Sequence, residues 1–211
     1  IREVGMDIKK GVVYFIASPD NFTQRYLYEA KLFGKGEVKR LSPMDQSGQH
    51  SYSMSPTGKW AVHTFSNTET PPVIDMVSFP GHKHVRLITD NAEAKQQYQA
   101  LGLQPKEFFQ VRSGELLLDG WMIKPANFDP NKKYPVILDI YGEPASSTVQ
   151  DVWGGGSLWH QHLWPVSTTA EPIHRVAANG ASASMAKWEP SLVKTRLVAF
   201  RTWASNIRLW T

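Results

Sequence analysis

A chain of 211 residues with 41% hydrophobic and 20% charged side chains has the make-up of ordinary globular protein, enough for one large domain or two small ones. Mean hydropathy is below zero and no long apolar run exists, which excludes a membrane-crossing helix. With no cysteine, disulfides and thiolate metal sites are excluded too. The net charge of +4 invites a nucleic-acid reading, but six Lys/Arg against Glu171 and Glu189 in residues 164–211 carry all of it. Residues 1–163 are balanced and offer no electrostatic footprint for phosphates, so no nucleic-acid partner is expected. The chain opens at Ile1 without a signal-peptide pattern, and the expectation is an internal piece of something longer.

Residues 1–88 read as a succession of short strands: 11–17, 26–32, 49–54, 60–65 and 73–77. The breaks between them hold Ser18-Pro-Asp-Asn21, Gly34-Lys-Gly36, Ser55-Pro-Thr-Gly58 and Pro71-Pro72, all strong turn punctuation. Gly11-Val-Val-Tyr-Phe15 and Gly58-Lys-Trp-Ala-Val62 look alike, a Gly turn followed by an aromatic-bearing strand, at roughly the period of a propeller blade. An immunoglobulin-like sandwich would give the same local signals.

Thr89-Asp-Asn-Ala-Glu93 predicts a helix start, with Asp90 and Glu93 as a capping box, running from Asn91 to about Leu101 and ended by Gly102. A hairpin follows, Phe108–Arg112 and Leu116–Ile123 about the turn Ser113-Gly114-Glu115. Then Lys124-Pro-Ala-Asn-Phe-Asp-Pro130 leads as a loop into Val136–Ile140, a short apolar β-branched run entered at Pro135 and closed by Tyr141-Gly-Glu-Pro144. Such a run reads as a strand buried on both faces, and the turn after it lies at the carboxyl edge of a sheet, where α/β enzymes place their chemistry.

Two histidine pairs, His82/His84 and His160/His162, raise the question of a metal. Residues two apart on a helix point to different faces and no third ligand lies near, so surface histidines and no metal are expected, and no cofactor is called for.

The passage Gly114–Pro144 resembles the start of the catalytic domain of prolyl-oligopeptidase-type serine peptidases, and most closely the dipeptidyl peptidase IV branch. Its strand and turn there have the form Tyr-Pro-x-x-x-Asp-x-Tyr-x-x-Pro, matched by Tyr134, Pro135, Asp139, Tyr141 and Pro144. The resemblance covers about residues 3–163. It implies a mainly β chain: the last blades of an eight-bladed β-propeller (1–106) joined to the truncated start of an α/β-hydrolase domain (107–163). It favours blades over a sandwich for residues 12–79. It implies that Tyr141 gives its hydroxyl to an oxyanion hole, where a phenol donates to charge developing on an attacked carbonyl. It further implies a parent enzyme that releases dipeptides from peptide amino termini, often after Pro or Ala, that is a homodimer, and that is periplasmic or secreted.

The rest of the machinery is missing from the residues. A serine peptidase of this class needs a Ser on a Gly-x-Ser-x-Gly elbow with Asp and His later in the chain. Gly180-Ala-Ser182-Ala-Ser184 lacks the second Gly and a preceding buried strand, Gly156-Ser157 fails likewise, and His174 precedes Ser182, against the family's order. The paired glutamates that hold a substrate's amino terminus in the family belong to earlier blades. A chain with Tyr141 alone is expected to be inactive; a non-catalytic binding module derived from propeller blades is the alternative.

After Leu163 the resemblance stops. Residues 164–211 show no buried-strand pattern, four tryptophans and a small-residue stretch at 177–184, and are expected to form an irregular, disordered tail. Codons permitted by Val166–Pro172, read from the third base of the Val166 codon, can encode Val-Asp-Asn-Arg-Gly-Thr. Those for residues 173–180 can continue with sequence of the Pro-Arg-Gly-Arg-Glu-Trp type, similar to the family segment due at this position. The expectation is a frameshifted translation beyond residue 163 or 164.

Overall fold

The structure is a computed structural model that describes residues 1–113, 116–132, 134, 136–140, 148–154 and 174–179. The described chain is mainly β and divides into two compact units, Ile1–Leu101 with Gln150–Gly155, and Gly102–Val149 with Gly156–Thr211.

The first unit holds two four-stranded antiparallel meanders. One comprises β1 (Arg2–Asp7), β2 (Val12–Ala17), β3 (Tyr26–Lys31) and β4 (Lys39–Arg40). The other comprises β5 (Gln49–Met54), β6 (Trp60–Asn67), β7 (Thr70–Ser78) and β8 (Lys83–Thr89). Four strands in sequential order is the make-up of one propeller blade. Five of the eight strands coincide with sequence-predicted ones. β1, β4 and β8 carry no alternation to reveal them: β4 is two residues long, and β8 is exposed almost throughout.

Alternation builds the core. Tyr14 and Ile16 of β2 point inward against Leu27 of β3, and Val4, Leu41, Tyr52, Met54 and Phe79 pack around them. The Tyr14 ring meets Phe79 edge-on at 5.0 Å, a geometry worth about 0.5–1.5 kcal/mol beyond the area it buries. Pro71-Pro72, expected as a break, lies inside β7 instead. A bulge between Phe65 and Asn67 relaxes the ladder there, so prolines without an N–H are tolerated.

The helix α1 (Ala92–Ala100) sits where expected and ends at Gly102, whose φ of 61° suits the left-handed stop. Its predicted capping box does not form. Asn91 occupies the N-cap in a left-handed conformation and its side-chain amide donates to Pro72 O at 2.7 Å, which shifts Asp90 off the cap. Asp90 accepts from Ala92 N, and Glu93 from Gln97.

The second unit contains one mixed sheet in the order β11-β12-β10-β9. The hairpin β9 (Lys106–Ser113) and β10 (Leu116–Ile123) pairs in unbroken register, with Gln110 donating across it to Asp119 at 2.8 Å. β11 (Val136–Ile140) matches the predicted strand residue for residue. β12 (His174–Asn179) runs antiparallel to β10 and parallel to β11. This corrects the expectation of an irregular tail for these six residues: ladder pairing needs only backbone groups, which any sequence without proline supplies. The rest of the tail, with the expected disorder, lies outside the described residues. Trp121, Ile123 and Val149 form the core of this unit.

Gly48 gives a direct test of the first unit's packing. It sits at φ 152°, and a Cβ there would lie 2.4 Å from Ser66 O, a backbone atom that cannot swing away. Gly48→Ala is predicted to cost about 2 kcal/mol or more of unfolding free energy in urea titrations. Gly81→Ala, with nothing nearer than a Lys83 side chain at 3.7 Å, should change it by less than about 0.5 kcal/mol.

Candidate functional site

The chemistry-bearing turn predicted from sequence begins at Tyr141, the residue after β11. Tyr141 itself and the turn to Pro144 lie outside the described residues. What is described is the strand that leads to them: Val136–Ile140, parallel to β12 with Val136 opposite His174 and Ile140 opposite Ala178. The entry to that strand is set by Tyr134, which is buried, packs its ring 5.2 Å from Phe128 and accepts a hydrogen bond on its hydroxyl from Asp129 N at 2.8 Å. A loop rich in Asn, Asp and Pro is thereby pinned by its own aromatic residues before β11 starts.

The chain downstream of the turn returns to the first unit, and Asp151 fixes it there. Its Oδ1 accepts from Thr68 N at 2.9 Å and Thr68 Oγ1 at 3.2 Å, and its Oδ2 accepts from Gln24 Nε2 at 2.8 Å. Asp151 N donates to Thr23 O at 2.8 Å. The side chain is buried, and a buried carboxylate is tolerated only with such a full set of donors. The rings of Tyr98 and Trp153 pack 4.4 Å apart in the same unit.

A second polar cluster crosses the β5–β8 sheet. The register sets Tyr52 opposite His63 and His63 opposite Asp75, on the same face as buried Ala61 and Phe65. His50 Nδ1 lies 2.9 Å from His63 Nε2, and His63 Nδ1 lies 2.8 Å from Asp75 Oδ1. Asp75 Oδ2 takes His84 Nδ1 at 2.8 Å, and His50 Nε2 faces the Gln46 carbonyl at 2.9 Å. Tyr52 stacks on His63 at 4.6 Å and its hydroxyl meets His82 Nε2 at 2.7 Å. Burial lowers the affinity of each imidazole for a proton, His50 to about 3 and His63 to about 4. The Gln46 carbonyl offsets part of this for His50 and the Asp75 carboxylate part of it for His63. Burial also raises the Tyr52 phenol well above its ordinary range.

The sequence-predicted residues therefore fall out as follows. His84 is exposed as expected, but His82 is half-buried and hydrogen-bonded to Tyr52, because the β7–β8 turn folds it back over the sheet. No group of metal-ligating residues occurs among the described residues. His174 opens β12. Ser157, His160, His162 and Ser182 lie outside the described residues. Sequence reading missed His50, His63, Asp75 and Asp151. The first three had a visible signal: on the predicted strands His50 shares the parity of Tyr52 and Met54, His63 that of Ala61 and Phe65, and Asp75 that of Val73 and Val77, which marks an inward face. Asp151 had none, since its partners are more than 80 residues away.

Comparison with known proteins bears on both units. Residues 1–72 match the family model of the dipeptidyl peptidase IV N-terminal region. "Probable dipeptidyl-aminopeptidase B" of Emericella nidulans is 31% identical over 151 residues, 68% of this chain and 16% of that protein. The chain is of the dipeptidyl peptidase IV type. The protein of the same name from Penicillium rubens is 30% identical over 150 residues, and again 16% of its length is covered. The solved structure of Porphyromonas gingivalis dipeptidyl peptidase 4 superposes with a TM-score of 0.73 over 85% of this chain and 24% of that one, at 24% identity. This dipeptidyl peptidase IV-type chain thus spans about one sixth of the curated relatives it matches, and the fold likeness extends beyond the residues of the family model.

Two outcomes are predicted. Because burial opposes charging both His50 and His63 in the folded chain, the unfolded chain takes up more protons as pH falls below the ordinary imidazole value of about 6.5, and stability is lost there. Urea midpoints measured from pH 6.5 down to pH 5 should fall steadily. Asp151→Ala strands the Thr68 and Gln24 donors and should cost about 1–3 kcal/mol by the same method; an unchanged midpoint would show the anchor to be idle.

Proposed function

We propose that this chain is part of a serine-type dipeptidyl peptidase, in which Tyr141 donates its hydroxyl to the oxyanion formed during attack on a peptide carbonyl. The observation that carries the reading is the coincidence of two things. The relatives named dipeptidyl-aminopeptidases match over two thirds of the chain, and the Tyr134-to-Pro144 pattern sets a tyrosine directly after the parallel strand β11. The antiparallel hairpin β9–β10 followed by β11 supports assignment of residues from about 107 to 163 to the start of an α/β-hydrolase domain. The two meanders support assignment of residues 1–106 to blades of an eight-bladed propeller.

The substrate class is a peptide with a free amino terminus, cleaved after its second residue, with Pro or Ala favoured there. Within these 211 residues no Gly-x-Ser-x-Gly elbow exists, so the nucleophile and its His and Asp are not supplied by this chain, and it is inactive alone. An oxyanion donor without a nucleophile gives only slight acceleration. The reading frame beyond residue 163 is the second part of the proposal: the strand at 174–179 pairs through backbone groups, and so is compatible with either frame. In the parent, a homodimer in a periplasmic or extracellular compartment is proposed on the family resemblance alone.

Three measurements test this. The purified chain is predicted to release no dipeptide from Gly-Pro or Ala-Ala anilides, and turnover by it would overturn the account. In the uninterrupted gene product, Tyr141→Phe should lower kcat by roughly 10²–10³, the usual cost of one oxyanion donor. Resequencing the DNA should show that one base restores Val-Asp-Asn-Arg-Gly-Thr after position 165; a DNA sequence that encodes residues 164–211 in an unshifted frame, with no hydrolase continuation in the alternative one, refutes the frameshift.

A further inference from the structure

The polar chain across β5, β6 and β7 has both ends closed by acceptors, and this imposes a proton count. From one end the contacts are Gln46 O to His50 Nε2, His50 Nδ1 to His63 Nε2, and His63 Nδ1 to Asp75 Oδ1, all 2.8–2.9 Å. Three contacts of this length require three hydrogens between them. Two neutral imidazoles carry one N–H each and a carboxylate carries none. With two hydrogens every arrangement leaves one contact between two lone pairs: at the Gln46 carbonyl, between the rings, or at the carboxylate. With three, all contacts are hydrogen bonds.

We propose that the His50–His63–Asp75 chain stores one proton beyond those of two neutral imidazoles and a carboxylate, and that losing it opens the Gln46 corner that leads into β5.

The surroundings fit such a store. The chain with its extra proton is uncharged as a whole, because the proton is balanced by the carboxylate of Asp75, so the interior accepts it at less cost than a lone imidazolium. Arg40 of β4, which lies over the Tyr26 ring beside His50, and His82 in the β7–β8 turn both oppose added positive charge on the rings, so the proton is held by the Asp75 carboxylate and the three contacts and not by these neighbours. Tyr52 of β5 covers His63, and its hydroxyl is engaged by His82. The solvent connection is His84 of β8, whose exposed ring donates to the second oxygen of Asp75. The proton taken up on folding comes from water and returns there by this side. At the other end Gln46 itself has little else to hold it: its side-chain oxygen is buried without a partner among the described residues, while the corner after it is tied by Asn67 to Ser47 O at 3.1 Å and by Arg25 N to Gly48 O at 3.0 Å.

The sign of the linkage follows from the count. Above about pH 6.5 the unfolded chain has neutral imidazoles and ionised Asp75, hence no extra proton, while the folded chain holds one. Folding then takes up a proton. The folding constant should drop up to tenfold per pH unit as pH rises from 6.5 to the point where the folded chain releases it, and be flat beyond. Below pH 6.5 the unfolded chain binds two protons against the folded chain's one, so stability falls on the acid side as well.

Long-range proton–nitrogen NMR of the full ¹⁵N-labelled chain counts the hydrogens directly. At pH 6.5–7 the expected result is a protonated His50 Nε2 and three hydrogens in all over the ring nitrogens and the Asp75 carboxyl. On raising pH both rings should change together, and amide exchange at residues 44–50 should accelerate. Asp75→Asn supplies the third hydrogen covalently, through its amide to His63 Nδ1, and its oxygen still accepts from His84. That variant should move His63 to the Nε2–H form and abolish the loss of stability between pH 6.5 and 8.5. Two ring hydrogens with an ionised Asp75 in the unaltered chain, or stability flat above pH 6.5, would overturn the proposal.

Discussion

The peptide groups of a five-residue apolar strand cannot leave water unless their N–H and C=O groups find partners, and β11 finds them in parallel register on β12. That pairing makes Val136–Ile140 part of a sheet instead of a loose hydrophobic run. It also fixes direction: because β11 is parallel to its neighbour, the chain continues to Tyr141 from the carboxyl end of a parallel pair. In α/β sheets that end is where a dipole or hydroxyl can meet a developing negative charge without reorganisation. The catalytic reading rests on the residue pattern from Tyr134 to Pro144 around this strand more than on its partner β12, whose residues lie beyond the proposed change of frame.

The first unit obeys a different rule. Its inward faces are not purely apolar: Thr23, Ser42, His50, His63 and Ser66 are buried beside Tyr14, Leu27 and Val77. Thr23, Ser42, His50 and His63 are admitted because a specific partner waits for each, as Leu27 N does for the Ser42 hydroxyl at 3.2 Å and Asp75 does for His63. A sheet built this way depends on geometry for its stability, since a broken hydrogen bond in the interior costs more than the bond contributed. It also depends on pH, through the same histidines. Asp151 extends the rule to a segment more than 80 residues distant in sequence, which joins the first unit through the same kind of interior polar network.

How much of this was legible in sequence can be read from particular residues. Strands β5 and β11 were found to the residue, because Gln49–Met54 lies between clear turns and Val136–Ile140 is a compact apolar run. Strand β8 was not, because an edge strand whose residues are nearly all exposed has no hydrophobic period to display. The capping box failed because Asn91 found a tertiary partner, Pro72 O, that local spacing cannot reveal. Pro71 and Pro72 misled for the same reason: the bulge that accommodates them is a property of the pair of strands. At the functional site, the pattern from Tyr134 to Pro144 was carried by residue identity, whereas the His50–His63–Asp75 chain needed the register, and Asp151 needed the fold.

The central claim, a phenol that serves the oxyanion of a dipeptidyl peptidase IV-type enzyme, is tested most directly by differential binding. In the uninterrupted gene product, the affinity for a dipeptide boronate, whose tetrahedral adduct imitates the attacked carbonyl, would be compared with that for the dipeptide product, with and without Tyr141→Phe. The account predicts a loss on the order of 100-fold for the boronate and under about twofold for the dipeptide. Equal losses for both, or none for the boronate, would contradict it.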